Sequence, residues 1–163
     1  MLIALSGLPG VGKTTIARRL VEVTGGVYLR IDSIEQVLRR AGVAVEAEGY
    51  AVAHAVAEDN LRLGRTVVAD CVNPWPLTRS EWRAVAQRAG ARVLDVEVVC
   101  SDTTEHRRRV ESRTADIAGL VLPSWSHVEQ RDYRPWDSER VLVDTARFDP
   151  EASVRVIVAA INR

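Results

Sequence analysis

Lysine is almost missing from this chain. Of 22 basic residues only Lys13 is a lysine, and every other positive charge is an arginine. Cysteine is nearly as scarce: Cys71 and Cys100 are the two, too few for a disulfide framework, which points to a reduced, cytoplasmic setting. Net charge is absent as well, with 22 basic residues against 22 acidic ones. No global positive field therefore exists to hold a nucleic-acid backbone by counterion release, which disfavours such a partner without excluding a local basic patch. No apolar run approaches the roughly 18 residues of a membrane span, and from Gly7 onward glycine and proline interrupt the apolar start before it reaches signal-peptide length. A membrane partner is not expected.

What is present suits one domain over residues 1–163, with 47% hydrophobic and 27% charged residues. Strand-like runs at Leu2–Ser6, Val27–Asp32, Thr66–Asp70, Leu94–Cys100 and Arg140–Asp144 alternate with helical patterns near 13–23, 33–41, 46–63, 78–89, 102–113 and 150–161. That alternation predicts an α/β fold, a parallel sheet with helices on both faces. "RTVVAD" and "LDVEVVC" are continuous runs that fit buried parallel strands better than half-exposed antiparallel ones. The least regular stretch, Thr114–Trp136, reads as a lid.

The solitary lysine sits in "SGLPGVGKTT", Ser6–Thr15. Gly7 to Thr14 fits G-x-x-x-x-G-K-[ST] between a strand and a helix, the context that gives the pattern its meaning. Glycine at positions 7, 10 and 12 lets successive N–H groups turn inward on phosphate oxygens. The following helix offers its unpaired first amides and positive dipole end to the same anion. Gly7, Gly10, Val11, Gly12, Lys13, Thr14 and Thr15 are thus the expected nucleotide-binding set, with Lys13 reaching the β/γ-phosphates and the Thr14 hydroxyl ligating Mg²⁺. An arginine fork is too broad and rigid to replace one compact charge on a flexible stem, so arginine stops at position 13.

The rest of the chain narrows the kind of phosphate-loop protein. With no second lysine, the N-K-x-D guanine motif of GTPases is absent. There is no L-S-G-G-Q signature of transporter ATPases, and the chain is short for an AAA+ machine. A compact ATP-dependent kinase remains. "YLRID" ends in Asp32, beside the loop at the carboxyl edge where ligands bind in open sheets. Ser33-x-x-Gln36 reads as a capping box, which leaves Asp32 free to take a proton from an attacking hydroxyl. Service to the helix dipole is its competing role. "RTVVAD" ends in Asp70, placed to orient Mg²⁺ through water, to contact substrate, or simply to open an Asx-type turn. "EHRRRVESR" sets Arg109 and Arg113 one turn apart before the lid, where they could stabilise charge on a transferring phosphoryl group. Arg107 and Arg108 read as a solvated face. His54, His106 and His127 show no metal spacing, and Trp125 and Trp136 are either packing or pocket walls.

Taken together, "LSGLPGVGKTT", "LRIDSI", "RTVVAD", "RRVESR" and "VLVDTA" resemble the small phosphate-loop kinases grouped with chloramphenicol phosphotransferase, zeta toxins, gluconate kinase and the polynucleotide 5′-kinase domain. The resemblance implies a three-layer P-loop NTPase fold with a five-stranded parallel sheet in the order 2-3-1-4-5 and a lid near 114–136. It implies Asp32 as catalytic base, Arg109 and Arg113 on the lid or adenine side, and Asp144 and Thr145 in the adenine loop. The expected cofactors are ATP and Mg²⁺. The expected acceptor is a hydroxyl of a small molecule (a nucleoside or nucleotide, an antibiotic or a sugar). A polynucleotide 5′-hydroxyl or a non-catalytic ATP-binding switch stands as the alternative. Where many relatives carry an acid two residues before the strand-end aspartate, this chain has Arg30, expected to pair with Asp32 or to recruit an anionic acceptor.

Overall fold

A computed structural model describes residues 1–162. The chain alternates β1 (Leu2–Ser6), α1 (Lys13–Thr24), β2 (Val27–Arg30), α2 (Ile31–Arg40), α3 (Glu48–Arg62), β3 (Val67–Asp70), α4 (Pro76–Arg88), β4 (Val93–Val99), α5 (Thr103–Ser112), α6 (Trp125–Glu129), β5 (Val141–Asp144) and α7 (Pro150–Ile161). The five strands form one sheet in the order β2-β3-β1-β4-β5, every pair parallel. This is the three-layer architecture expected from the sequence.

Alternation within the central strand divides the core in two. Leu2 and Ala4 join Leu29, Val67 and Ala69 against Ala53, Ala57 and Leu61 of α3 and Trp82 and Val85 of α4. Ile3 and Leu5 join Val68, Val96, Val98 and Val143 against Ile16 and Leu20 of α1 and Val154 and Ile157 of α7. All five residues of β1 are buried, which explains why it reads as an unbroken apolar run. A strand buried on both faces leaves only its carboxyl end free for chemistry.

Three local expectations differ from the structure. The second strand stops at Arg30, because β3 ends at Asp70 and the register Arg30↔Asp70 is the last pairing available. The chain turns directly into α2, so Asp32 lies in the first helical turn and not at a strand end. The helix starts two residues before Ser33, whose capping box does not form: Arg30 is the N-cap, without a side-chain bond. The apolar side chain of Ile31, 4% exposed, packs with the strand residues and draws the helix start forward. Finally, α6 forms inside the irregular stretch, where Ser124 caps it by accepting from the His127 amide.

Candidate active site

The phosphate loop runs from the end of β1 to the start of α1, and its glycines are required sterically as well as conformationally. At Gly7 (φ 144°) a Cβ would lie 2.2 Å from the Val98 carbonyl oxygen, and at Gly10 (φ 87°) it would lie 2.5 Å from Val110 Cγ2. The loop is braced from two sides. The His106 Nε2–H donates to the Pro9 carbonyl at 2.8 Å, and its ring meets Trp125 edge-on at 5.1 Å. The Thr145 hydroxyl donates to the Val11 carbonyl at 2.9 Å. Lys13 is buried, its ammonium donating to the Leu8 carbonyl at 2.9 Å. Burial pushes its pKa below the ordinary lysine value, with Asp70 and Asp32 opposing that shift. A desolvated ammonium held against the loop is a strong partner for an incoming phosphate.

Below the loop, the Thr14 hydroxyl donates to Asp70 Oδ2 at 2.8 Å. The Tyr28 hydroxyl donates to the same oxygen at 2.9 Å. Asp70 is 4% exposed, so these contacts and Arg30 Nε at 3.9 Å offset the penalty of burying its charge. A hydroxyl and a carboxylate side by side fit Mg²⁺, a hard cation that takes few protein oxygens and keeps its remaining positions for water and phosphate. Among the described residues no group of three or more His, Cys, Asp or Glu side chains forms a cage that would hold a metal by itself.

Asp32 opens onto the same cavity, a space of about 1560 Å³ that also receives Lys13, Thr14, Asp70, Arg109 and Arg113. The expected pairing of Arg30 with Asp32 is secondary. Arg30 donates both terminal nitrogens to Asp116, at 2.8 and 3.0 Å, while its distance to Asp32 is 3.8 Å. The physical reason is shape: Asp116, arriving from the irregular segment after α5, meets the guanidinium fork with two oxygens. Arg113 lies half-buried at the end of α5 with its buried Nε unpartnered. Burial lowers its pKa, and Asp32 opposes the shift.

On the β4–β5 side, Arg109 gives Nε to Glu105 at 2.7 Å and reaches the Thr145 hydroxyl and carbonyl at 2.9 and 3.2 Å. Asp144 is occupied in the turn, accepting from the Ser101 amide and hydroxyl at 3.0 and 2.6 Å. Arg107 and Arg108 pair with Glu111 and Glu105 on the surface, as expected. Phe148, which the sequence did not single out, lines the cavity here.

The two tryptophans weighed as pocket walls are packing residues. Trp125 lies on His106, and Trp136 lies under the Arg79 guanidinium at 4.2 Å. Arg79, 1% exposed, donates to the carbonyls of Asn73, Pro74, Arg134 and Pro135. It thereby ties the end of the irregular segment to the loop after β3. His106, Tyr28, Arg79 and Asp116 all support the site and were missed as contributors, because each acts on a residue remote in sequence.

A phosphate loop on the central strand, with polar residues gathered at the carboxyl edge of a 2-3-1-4-5 sheet, defines a P-loop nucleotide-binding fold of the kinase type. A family model described as an AAA domain (AAA_33) matches residues 2–122, and the chain belongs to that family. Three solved structures share the fold. A gluconokinase from Sinorhizobium meliloti 1021 is 21% identical, with 99% of this chain and 91% of that chain covered and a TM-score of 0.67. The APS kinase CysC of Mycobacterium tuberculosis, in complex with AMPPNP and APS, is 14% identical over 99% and 97%, with a TM-score of 0.71. Kti12 of Chaetomium thermophilum, in complex with ADP-AlF3, is 21% identical over 99% and 98%, with a TM-score of 0.68. No curated protein sequence matches significantly.

Proposed function

We propose that this chain is an ATP- and Mg²⁺-dependent phosphotransferase that moves the γ-phosphoryl group of ATP to a hydroxyl of a small molecule. The observation that carries the reading is the shared cavity. One space brings a phosphate loop, a hydroxyl–carboxylate pair suited to Mg²⁺, a second carboxylate and a half-buried, unpartnered arginine within reach of one another. Nucleotide complexes of two fold neighbours support ATP as the donor.

In this reading the loop amides and Lys13 hold the β/γ-phosphates, and Arg109 and Thr145 border the nucleotide on the β5 side. Thr14 and Asp70 hold Mg²⁺, which when bound neutralises phosphate charge. Asp32 accepts the acceptor's hydroxyl proton, an effect worth about 10²–10⁴-fold in rate. Arg113 lacks a partner at Nε, so charge spreading over the transferring oxygens finds a donor already desolvated and in place. Residues 114–136 act as the lid over the acceptor. The test is ADP release from Mg-ATP across nucleosides, aromatic alcohols, sugars and a 5′-hydroxyl oligonucleotide, with Lys13→Ala and Asp32→Asn alongside. One acceptor class should stimulate turnover, and both substitutions should abolish the stimulation.

A further inference from the structure

The sheet order divides the cavity. The phosphate loop follows the central β1. Thr145 follows β5 on one side, whereas Asp32 and the Asp70–Trp75 loop follow β2 and β3 on the other. Residues lining the β2–β3 half therefore face whatever molecule brings its hydroxyl to Asp32. Among them is Trp75.

Three of the four tryptophans are accounted for by packing: Trp82 is fully buried, Trp125 meets His106 and Trp136 lies under Arg79. Trp75 differs. It is 46% exposed and lines the cavity, as do the exposed apolar side chains of Leu77 and Val121. Large apolar surface left open inside a cavity marks a ligand-binding wall.

The Trp75 ring is also held in place. Its indole N–H donates to Asp132 Oδ2 at 3.1 Å. The backbone before it is fixed by Arg79, which donates to the Asn73 and Pro74 carbonyls at 3.2 and 3.1 Å. The Thr78 hydroxyl donates to the Trp75 carbonyl at 2.9 Å. An aromatic surface fixed in advance loses little side-chain entropy when a ligand stacks on it.

Several polar groups of this half are already engaged. The Tyr50 hydroxyl accepts from the Asn73 amide, the Gln36 amide donates to the Ala118 carbonyl, and Arg39 pairs with Glu35. To use these groups a polyol would have to break their existing contacts, whereas a stacked ring leaves them intact.

We infer that Trp75 is the stacking platform of the acceptor subsite, and that the acceptor is a hydroxyl compound built on a planar ring, not an open-chain polyol or sugar. This inference rests on the phosphotransferase reading for the role of the hydroxyl, but the ring-binding surface itself does not. Arg131 lines the same cavity, so a ring carrying an acidic group fits as well as a neutral one.

Two readouts keep the two readings apart. Binding of adenosine, thymidine, 2-phenylethanol, glucose and gluconate is measured by calorimetry with Mg-ADP present. Turnover of the same compounds is measured with Mg-ATP, for the wild type, Trp75→Phe and Trp75→Leu. We expect a ring compound to bind and to be phosphorylated, Trp75→Leu to raise its Kd and KM about tenfold with kcat retained, and Trp75→Phe to recover most of that loss. A circular dichroism spectrum and melting temperature unchanged from the wild type show that the leucine variant is folded. Ring binding that depends on Trp75, with no turnover of any compound, supports the platform and counts against phosphoryl transfer. Turnover of glucose or gluconate alone, unchanged in Trp75→Leu, overturns the platform and leaves the phosphotransferase standing. Failure of every ring compound to bind also overturns the platform.

Discussion

Arg30 and Asp116, 86 positions apart in sequence, form a two-point ion pair at 2.8 and 3.0 Å that fastens the irregular segment after α5 to the end of β2. The arginine side chain is only 10% exposed, and Asp32 and Asp70 lie within 4 Å of it as well. Arg18 of α1 adds a second contact to Asp116 at 2.5 Å. These arginines hold the Asp116 carboxyl well below its usual pKa range. One cation thus sits among three carboxylates, and Asp116 supplies the best-formed pair.

Loosening that pair should free the segment that follows α5. Arg30→Gln and Asp116→Asn should each speed hydrogen exchange across residues 114–122, and the double variant should add little to either. The coupling expected from a partly exposed two-point pair is about 1 kcal/mol. An additive double variant would show that the pair holds nothing.

The brace behind the phosphate loop makes a separate prediction. His106→Leu leaves the buried Pro9 carbonyl without its donor, at a cost of about 1–3 kcal/mol in stability. A loop held less firmly should also bind ATP several-fold more weakly. Calorimetric binding together with thermal melting checks both, and unchanged ATP affinity would confine His106 to a packing role.

Lysine 13 should not be replaceable by its commoner counterpart. Lys13→Arg places a planar fork where the structure holds one compact buried charge. Its turnover should fall about as far as that of Lys13→Ala, on the order of a hundredfold or more, by loss of electrostatic stabilisation. An arginine variant with near wild-type turnover would contradict this account of the chain's single lysine.

Acid sensitivity has a specific source away from the site. His54 stacks edge-on against Trp82 at 4.4 Å with its buried Nε2 unpartnered. Burial, helped by the nearby Arg88 charge, lowers its pKa from 6.5 to about 4. Between those values the unfolded chain takes up a proton that the folded chain refuses. This contribution to stability is therefore present above about pH 6.5 and is lost as pH falls toward 4. With the ring's partial exposure discounted, the loss is on the order of 1 kcal/mol. Denaturant titrations at pH 7.5 and 4.5 should show a smaller acid loss in His54→Phe than in the wild type.

The most legible parts of the site were those whose residues lie together in the chain. Gly7 to Thr14 carry their geometry in one contiguous stretch, and the apolar runs of β1 and β3 reveal burial on two faces directly. Asp32 was singled out as a candidate but placed in the wrong element, because the end of β2 depends on where its neighbour β3 stops. Arg30 was recognised as unusual, yet its partner was invisible, since nothing local marks Asp116. His106 and Pro9 are 97 positions apart, and only the fold brings them together. The tryptophans show the same limit: composition and proline context could not separate Trp136, covered by Arg79, from Trp75, open to the cavity.

The most direct measurement follows the γ-phosphoryl group itself. With γ-³²P-labelled ATP, Mg²⁺ and the acceptor panel, label on an organic acceptor is separated from label released as inorganic phosphate, in the wild type and in Asp32→Asn. A phosphotransferase places label on one acceptor class, and Asp32→Asn lowers that transfer about a hundredfold or more while ATP affinity holds. Label appearing only as inorganic phosphate, at the same rate in both proteins, would contradict the account.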